Sequence, residues 1–233
     1  MRARFGGLKV FAPNLPAFGE ADDRAGELEE DLEQETARLP GGDRWHLITH
    51  SGGGKDARLL VSPNGRKRSD LVRSVTTIST PHHGSLIADG LANIIDLPFA
   101  VSTVLEPFHD FRNAVRGFTS KGMADFNREV IDSPDVKYFS YAGKVAGTDP
   151  GVFLTPFQIT HGLIQQADGD NDGWVSVRSS TPPDQSLTEI LPADHVSQIG
   201  WSLSPLRRAL DPGKHFDHLA FYVRLINHLS AQA

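Results

Sequence analysis

The chain has 233 residues and a formal net charge of -6, and hydrophobic residues make up 39% of it. This length can bury one sizeable core, so we expect a single α/β domain over residues 1–233. The acidic balance excludes a protein built to neutralise nucleic-acid phosphates, and the lack of cysteine excludes disulfides and thiolate catalysis. No apolar run approaches a membrane span and no signal peptide is apparent, so a cytoplasmic protein is expected, although a shortened N-terminus would leave secretion open.

Short apolar stretches alternate with longer amphipathic ones, and this alternation predicts the order of strands and helices. Strands are predicted at residues 8–12, 46–49, 71–78, 136–143 and 187–191, and helices at residues 22–39 and 216–222. This order favours a mostly parallel sheet with helices packed on its faces. The first strand is expected to be buried.

The segment 85–126 differs from the rest because its apolar residues are too closely spaced for one narrow helical stripe. One interpretation is two or three helices buried in the core. The other is a helical lid over an apolar cleft, which would suit a substrate with long acyl chains. The composition leaves both interpretations open.

A sharp turn from a strand into a helix is predicted around Ser51. The run Thr49-His50-Ser51-Gly52-Gly53 follows an apolar stretch and precedes a helical one, which is the layout of a nucleophile elbow. Gly53 meets the need for a small residue two positions after the serine, whereas Thr49 stands where the G-x-S-x-G pattern has glycine. Ser51 is therefore a candidate nucleophile, and an ordinary glycine-rich loop is the alternative.

A loop rich in carboxylates lies further along the chain, at residues 168–173. Its D-x-D-x-D-G opening imitates an EF-hand calcium loop, but the twelfth position is Ser179 rather than a bidentate glutamate. The pattern therefore disfavours an EF-hand. Asp172 stands in a loop where the acid of a catalytic triad would lie.

The base of such a triad has to be a histidine that follows Asp172. His195 comes after a predicted strand, at a junction between strand and helix. His215 and His218 compete with it, although His218 belongs to a helical run in which a packed structural histidine is expected. The chain order Ser51, Asp172, His195 is that of the α/β-hydrolase triad, and this order strengthens the nucleophile hypothesis.

Four segments of the chain resemble the bacterial triacylglycerol lipases of the α/β-hydrolase fold. They are residues 46–53, 75–85, 171–176 and 194–195, and they follow the family's order over most of the chain. The T-I-x-T-P-H-x-G-S run and the N-D-G-x-V-S run are the specific ones. The resemblance implies an α/β-hydrolase with a helical lid at 85–126 that hydrolyses acylglycerols or similar lipid esters, which it meets at a lipid–water interface.

The resemblance also implies a role for each residue: Ser51 attacks the ester carbonyl, His195 removes its proton, and Asp172 orients the imidazole. The backbone N–H of Gly52 would donate to the oxyanion. Family members take the other oxyanion donor from a His-Gly loop before the region that matches residues 8–18, and this chain starts after that loop. The missing strand would expose a sheet edge, so we expect a homo-oligomer.

No cofactor and no obligatory metal are expected. Some family members bind calcium through an acidic residue two positions after the catalytic histidine, where this chain has Ser197. Asp149 could serve as a ligand for a hard cation, but a loop aspartate beside proline is more simply a turn residue. The adjacent His82 and His83 point in different directions and make a poor metal pair.

A serine ester hydrolase is therefore the predicted function. The alternative is a catalytically impaired hydrolase-fold protein that binds lipid or self-associates, because one oxyanion donor is missing from the sequence. A serine acyltransferase or a peptidase would keep the triad, but no convergent charges mark a peptide pocket.

Overall fold

The structure is a computed structural model that describes residues 2–5, 8–16, 19–39, 43–95, 109–145, 156–183, 185–201 and 216–232. In chain order the elements are β1 (Arg2–Phe5), β2 (Leu8–Phe11), α1 (Ala21–Thr36), β3 (Trp45–His50), α2 (Gly53–Val61), β4 (Val72–Ile78), α3 (Leu86–Ile95), α4 (His109–Gly117), α5 (Ser120–Glu129), β5 (Lys137–Gly143), α6 (Pro156–Asp168), β6 (Glu189–Leu191) and α7 (His218–Ser230). The predicted strands and helices are confirmed, with bounds that differ by a few residues and a longer last helix. None of the helices in the described ranges has the length and apolar character needed to cross a membrane.

Strands β3, β4, β5 and β6 lie side by side in that order and form a parallel sheet. The parallel sheet is the one that the alternation of strands and helices predicts. The β-branched run of β4 suits its inner position, where six of its seven residues are buried. His50 is in register with Ile78, and Ile78 is in register with Tyr141. The carboxyl ends of these strands therefore line up, and the loops that follow them meet at one edge of the sheet.

Helices cover the sheet through two apolar clusters. In the first cluster, Leu28 of α1 and Leu60 of α2 pack with Val75 of β4. In the second, Phe221 of α7 packs with Ile78 of the same strand. Because Val75 and Ile78 are three residues apart, their side chains point to opposite faces, so the sheet is covered on both sides.

The prediction of a buried strand at residues 8–12 is wrong in its environment. Leu8–Phe11 is a strand, but it pairs antiparallel with β1 in a two-stranded sheet separate from the parallel one. Leu8 and Val10 are 40% and 42% exposed. β1 is only a few residues away, so the two strands close a local hairpin that leaves Leu8 and Val10 in solvent, while Phe11 is half-buried near the Trp45 ring.

The segment 85–126 contains α3, α4 and the first part of α5, while residues 96–108 lie outside the described part of the chain. Ala88 of α3 packs against Val115 of α4, and Met123 of α5 is fully buried in a separate cluster. The interpretation of buried helices therefore suits α5. A lid formed by the earlier helices stays a prediction.

Candidate active site

Ser51 lies at the turn between β3 and α2, at the carboxyl edge of the sheet. Its φ angle of 53° is in the left-handed region, which a serine adopts only when the surrounding structure enforces it. The Ser51 N–H donates to the Ile78 carbonyl at 2.9 Å, and the Thr80 hydroxyl donates to the Ser51 carbonyl at 2.8 Å. The backbone thus makes the sharp turn from strand to helix that the sequence predicts for a nucleophile elbow.

The glycines after Ser51 allow this close approach of strand and helix. A Cβ atom on Gly53 would lie 3.5 Å from Cβ of Thr49, which is an ordinary contact, so the threonine fits where the family pattern has glycine. A Cβ atom on Gly54 would lie only 2.2 Å from the hydroxyl oxygen of Thr80. The turn therefore depends on Gly54, because Thr80 is the residue that holds the serine carbonyl.

Gly52 presents a backbone N–H at the first turn of α2. No described residue accepts a hydrogen bond from this N–H, and the helix N-terminus adds partial positive charge at the same place. A Cβ atom on Gly52 would lie 2.8 Å from the ring of Phe118, so this ring packs directly on the glycine. The arrangement suits an oxyanion donor next to an apolar wall.

Asp172 is fully buried in the loop that follows α6. The side-chain oxygen of Asn171 accepts from the Gly173 N–H at 2.8 Å, which tightens this loop. Asp172 Oδ1 accepts from the backbone N–H groups of Trp174 at 2.9 Å and Val175 at 2.7 Å. These donors fix one carboxylate oxygen and leave the other for a side-chain partner.

That partner is His195, whose Nδ1 lies 2.8 Å from Asp172 Oδ2. The His195 N–H also donates to the Asp172 carbonyl at 3.0 Å, so the two residues are joined twice. Burial raises the pKa of Asp172, but the charge and hydrogen bond of His195, together with the loop N–H groups, outweigh it and hold the pKa below its ordinary value. The carboxylate is thus ionised, and it favours the His195 tautomer with the proton on Nδ1 and a basic Nε2.

His50 and Trp174 pack around this pair, and the sequence analysis did not single them out. The Nε2 atom of His50 donates to the His195 carbonyl at 2.8 Å, and the two rings are 4.5 Å apart. The Trp174 ring lies 5.6 Å from the same imidazole. Burial and the charge of His195 lower the pKa of His50 to about 4, so His50 is neutral near pH 7. The position of His50 directly before Ser51 was the signal that could have found it.

Gln198 is the other residue that sequence reasoning missed. Its side chain is fully buried, and its Nε2 atom lies 3.2 Å from Asp172 Oδ2. It follows His195 by three residues, which places both on one turn. A lone glutamine carries no motif, so only the fold shows this contact.

Ser51 and His195 line one cavity of about 460 Å³. That volume falls in the range of sites for small molecules, about 300–1,000 Å³. The apolar lining comes mainly from α3, α4 and the residue that follows α4: Ile87, Ala88, Leu91, Ala114, Val115 and Phe118. The cavity can therefore hold an apolar chain beside the serine.

Charged side chains from α1 and α2 line another part of this cavity. Asp56 is buried and accepts from Arg24 Nε at 2.9 Å and Nη2 at 2.7 Å, and burial raises the pKa of Asp56 despite this pairing. Lys55 donates to the Gly117 carbonyl at 3.0 Å and lies over the ring of Phe118, and burial lowers the pKa of Lys55. These contacts tie three helices together around the cavity.

Of the histidines that compete with His195, the structure describes His218. His218 begins α7 and packs against Gly200, where a Cβ atom would lie 2.5 Å from the imidazole Nε2, and it is not part of the cavity lining. His82 is buried while its neighbour His83 is exposed. His215 lies outside the described residues.

Two carboxylates of the EF-hand-like loop form ion pairs with basic side chains of the protein. Asp168 pairs with Arg178, and Asp170 pairs with Lys144. Across the described ranges, no group of three or more acidic, histidine or cysteine side chains could hold a metal ion. Asp149 lies outside those ranges.

The parallel sheet and the strained serine at its carboxyl edge define the class of the protein, an α/β-hydrolase. Solved structures share this fold. The lipase of Staphylococcus hyicus has a TM-score of 0.69 and is 19% identical, over 97% of this chain and 86% of that chain. A metagenomic carboxyl esterase has a TM-score of 0.72 and is 16% identical, over 94% of this chain and 65% of that chain. No protein-family model matches the chain.

Sequence relatives narrow this class. Triacylglycerol lipase 2 of Saccharomyces cerevisiae is 32% identical over 236 residues, which cover 96% of this chain and 69% of the yeast protein. The triacylglycerol lipase of Pseudomonas fragi is 26% identical, over 88% of this chain and 81% of that protein. The chain therefore belongs to the triacylglycerol lipase family, whose members are ester hydrolases of the lipase or esterase type.

Proposed function

We propose that the protein hydrolyses acylglycerols or similar lipid esters through an acyl-enzyme, with Ser51 as nucleophile, His195 as base and Asp172 as the third member of the triad. The observation that carries the proposal is a strained serine and an Asp172–His195 pair that open on one apolar cavity. The family relatives support the reaction class. They do not identify the residues, which rest on the geometry.

Acylation begins when the Ser51 hydroxyl oxygen attacks the ester carbonyl and His195 Nε2 takes the hydroxyl proton. Negative charge then develops on the carbonyl oxygen, and the Gly52 N–H donates to it. Removal of one such donor typically costs about a hundredfold to a thousandfold in rate. The imidazolium that forms is stabilised by the ionised Asp172 2.8 Å away. Collapse of the intermediate breaks the ester bond, and His195 returns its proton to the leaving alcohol.

Deacylation repeats these steps with water in place of the serine. His195 Nε2 takes a proton from the water, whose oxygen attacks the acyl-enzyme carbonyl. When the second intermediate collapses, the proton returns to the Ser51 oxygen and the fatty acid leaves. The low pKa of Asp172 supports this cycle, because the carboxylate stays charged whether the imidazole is neutral or protonated.

A ladder of p-nitrophenyl esters from short to long acyl chains tests the proposal. We expect hydrolysis by the wild-type protein, strongest on the longer chains, and loss of it in Ser51→Ala. His218→Gln is the matched control for His195→Gln, because His218 is half-buried but outside the cavity. Activity retained in Ser51→Ala, or lost in His218→Gln and kept in His195→Gln, would overturn the assignment of the triad.

A binding protein that lacks catalysis is the second candidate, because only Gly52 is assigned as an oxyanion donor. It would give no turnover on any ester in the ladder while still taking up a fluorescent fatty acid in the cavity. Turnover that depends on Ser51 would exclude it.

We also propose that the protein self-associates through β3. This strand is at the edge of the sheet, and it pairs with β4 on one side only among the described strands. The N–H groups of Trp45 and Ser51 point toward the β4 side, so those of His46, Ile48 and His50 point to the open side. Ile48 is also 37% exposed. An open edge of this kind favours pairing with a second copy about a two-fold axis.

Light scattering after size exclusion tests this proposal. We expect the mass of a dimer, and the mass of a monomer at tens of micromolar protein would contradict self-association through β3.

A further inference from the structure

The carboxylate of Asp172 has a partner in each of its four acceptor positions. Oδ1 accepts from two backbone N–H groups, those of Trp174 and Val175. Oδ2 is shared between His195 Nδ1 at 2.8 Å and Gln198 Nε2 at 3.2 Å. A carboxylate has about four lone-pair sites, so Gln198 fills the last one.

From this geometry we propose that Gln198 is a positioning residue of the reaction, which holds Asp172 Oδ2 in line with His195 and takes up part of the carboxylate charge. The inference rests on the proposed triad. It adds a residue that does not line the cavity and acts on the reaction through its contact with Asp172.

Gln198 sits on a rigid turn that also carries the base. The side chain of Asp194 accepts from the N–H groups of Val196 at 3.0 Å and Ser197 at 2.8 Å, directly after His195. A 3₁₀ turn at Ser197–Ile199 follows. The amide and the imidazole therefore approach Asp172 from one short, capped segment, so their relative position is fixed by the backbone.

The end of β5 leaves room for the amide. A Cβ atom on Gly143 would lie 2.1 Å from Gln198 Nε2 and 2.8 Å from Cβ of Asp172. Any side chain at position 143 would push Gln198 away from the carboxylate. The Gly143 N–H is itself held at 3.0 Å by the Ser79 hydroxyl oxygen, so this approach is built into the sheet.

The two ends of the Gln198 amide face different groups. Only the NH₂ group can face an ionised carboxylate, so Oε1 points away from Asp172. The side chain of Gln198 also interacts with His50, and this contact raises the pKa of His50 against the larger effect of burial. A methionine of similar length would make neither polar contact, so it tests the amide rather than the space that the side chain fills.

The experiment replaces Gln198 by methionine, which has nearly the same length and no donor. Gln185→Met is the matched control, because Gln185 also donates to a carboxylate, Asp132, at 2.7 Å but outside the cavity. We would measure kcat, KM and the pH profile of kcat/KM on p-nitrophenyl butyrate, and the thermal midpoint of each variant. Wild type and Ser51→Ala are assayed in parallel.

For Gln198→Met we expect kcat to fall about tenfold with KM within about twofold, a factor that corresponds to about 1.4 kcal/mol. The acid limb of the profile should move up by about half a pH unit, because Asp172 no longer shares its charge and holds the imidazolium more tightly. The thermal midpoint should stay near that of wild type, and Gln185→Met should match wild type in kcat and in the limb. His50 and Trp174 face the imidazole and are kept in every variant. Gln198→Met also removes the contact of Gln198 with His50, which lowers the pKa of His50 further, so His50 stays neutral across the acid limb.

An unchanged kcat and an unchanged acid limb in Gln198→Met would overturn the proposal, since Gln198 would then only fill space. If the methionine variant does not fold, Gln198→Asn replaces it, because the shorter amide keeps its polarity but loses its reach and should show the same two changes. Activity that survives in Ser51→Ala would refute the proposed triad. The contact between Gln198 and Asp172 would then have to be tested by a measurement that needs no substrate.

That readout is the far-downfield proton resonance of the His195 Nδ1–H group, assigned by its loss in Asp172→Asn. We expect it to move further downfield in Gln198→Met, because one competing donor on Oδ2 is gone. An identical resonance in wild type and Gln198→Met would contradict the inference whether or not the protein is active.

Discussion

Replacement of His82 by glutamine should remove much of the loss of stability in mild acid. His82 is 1% exposed at the carboxyl edge of the sheet, where its Nε2 lies 3.2 Å from the Thr77 hydroxyl and its Nδ1 has no partner in the described part of the chain. Burial, helped by the positive charges of Arg58 and His83, lowers the pKa of His82 from 6.5 to about 3. Its contribution to stability is fully present above pH 6.5 and is lost as the pH falls toward 3, because the unfolded chain then binds a proton that the folded protein excludes.

The size of the effect follows from the two pKa values. A pH of 5 is about 1.5 units below the ordinary pKa of histidine. Protonation of this side chain therefore stabilises the unfolded chain by about 2 kcal/mol, at about 1.4 kcal/mol per pH unit. Urea unfolding followed by tryptophan fluorescence at pH 7.5 and pH 5 measures this loss. His82→Gln should lose about 2 kcal/mol less than wild type over that interval. His83→Gln is the control, because that neighbour lies in solvent and its charge is a smaller cause of the low pKa of His82 than burial is.

The buried His50, whose pKa is lowered to about 4, also makes the protein less stable in acid. This loss is common to wild type and both variants, so it cancels in the comparison. A pH dependence in His82→Gln equal to that of wild type would refute the reasoning. It would mean that His82 is hydrated in the folded protein.

Two further substitutions test the elbow and the cavity. Gly54→Ala should destabilise the protein by about 1–3 kcal/mol in urea unfolding and lower kcat, because the added Cβ displaces Thr80 from the Ser51 carbonyl; Gly162→Ala, which meets nothing within 4 Å, should do neither. Ile87→Trp should shorten the longest acyl chain that is hydrolysed well, since each methylene kept out of the cavity loses about 0.8 kcal/mol of burial. The p-nitrophenyl ester ladder measures that shift, and an equal shift in Leu86→Trp, outside this cavity, would count against the mapped lining.

The local structure around Ser51 can be predicted from the sequence, because one short segment carries the whole strand-to-helix turn. The turn at Ser51 follows from an apolar strand, a serine and three glycines in a row, and the structure places that serine at φ 53°. Chain order indicates Asp172 and His195 as the next members of a triad, and in the structure His195 Nδ1 lies 2.8 Å from Asp172 Oδ2. Both predictions used local patterns that known folds share.

The residues that sequence reasoning misjudges depend on how elements pair and pack, which no single segment specifies. The strand at Leu8–Phe11 looks buried because its residues are apolar, and only its pairing with β1 shows that it is exposed. Gln198 meets Asp172 through a space that Gly143, on another strand, leaves open. Neither Gln198 nor Gly143 belongs to a recognisable motif, so their contact can be seen only once the sheet is formed.

The most direct test of the central claim is covalent labelling with a fluorophosphonate that carries a long alkyl chain, followed by peptide mass spectrometry. We expect one adduct, on Ser51, that forms rapidly in wild type and much more slowly in His195→Gln, because the serine then has no base. Peptide sequencing identifies the modified residue without relying on turnover. An adduct on any other serine, or the same labelling rate in His195→Gln as in wild type, would contradict the assignment of Ser51 as the activated nucleophile.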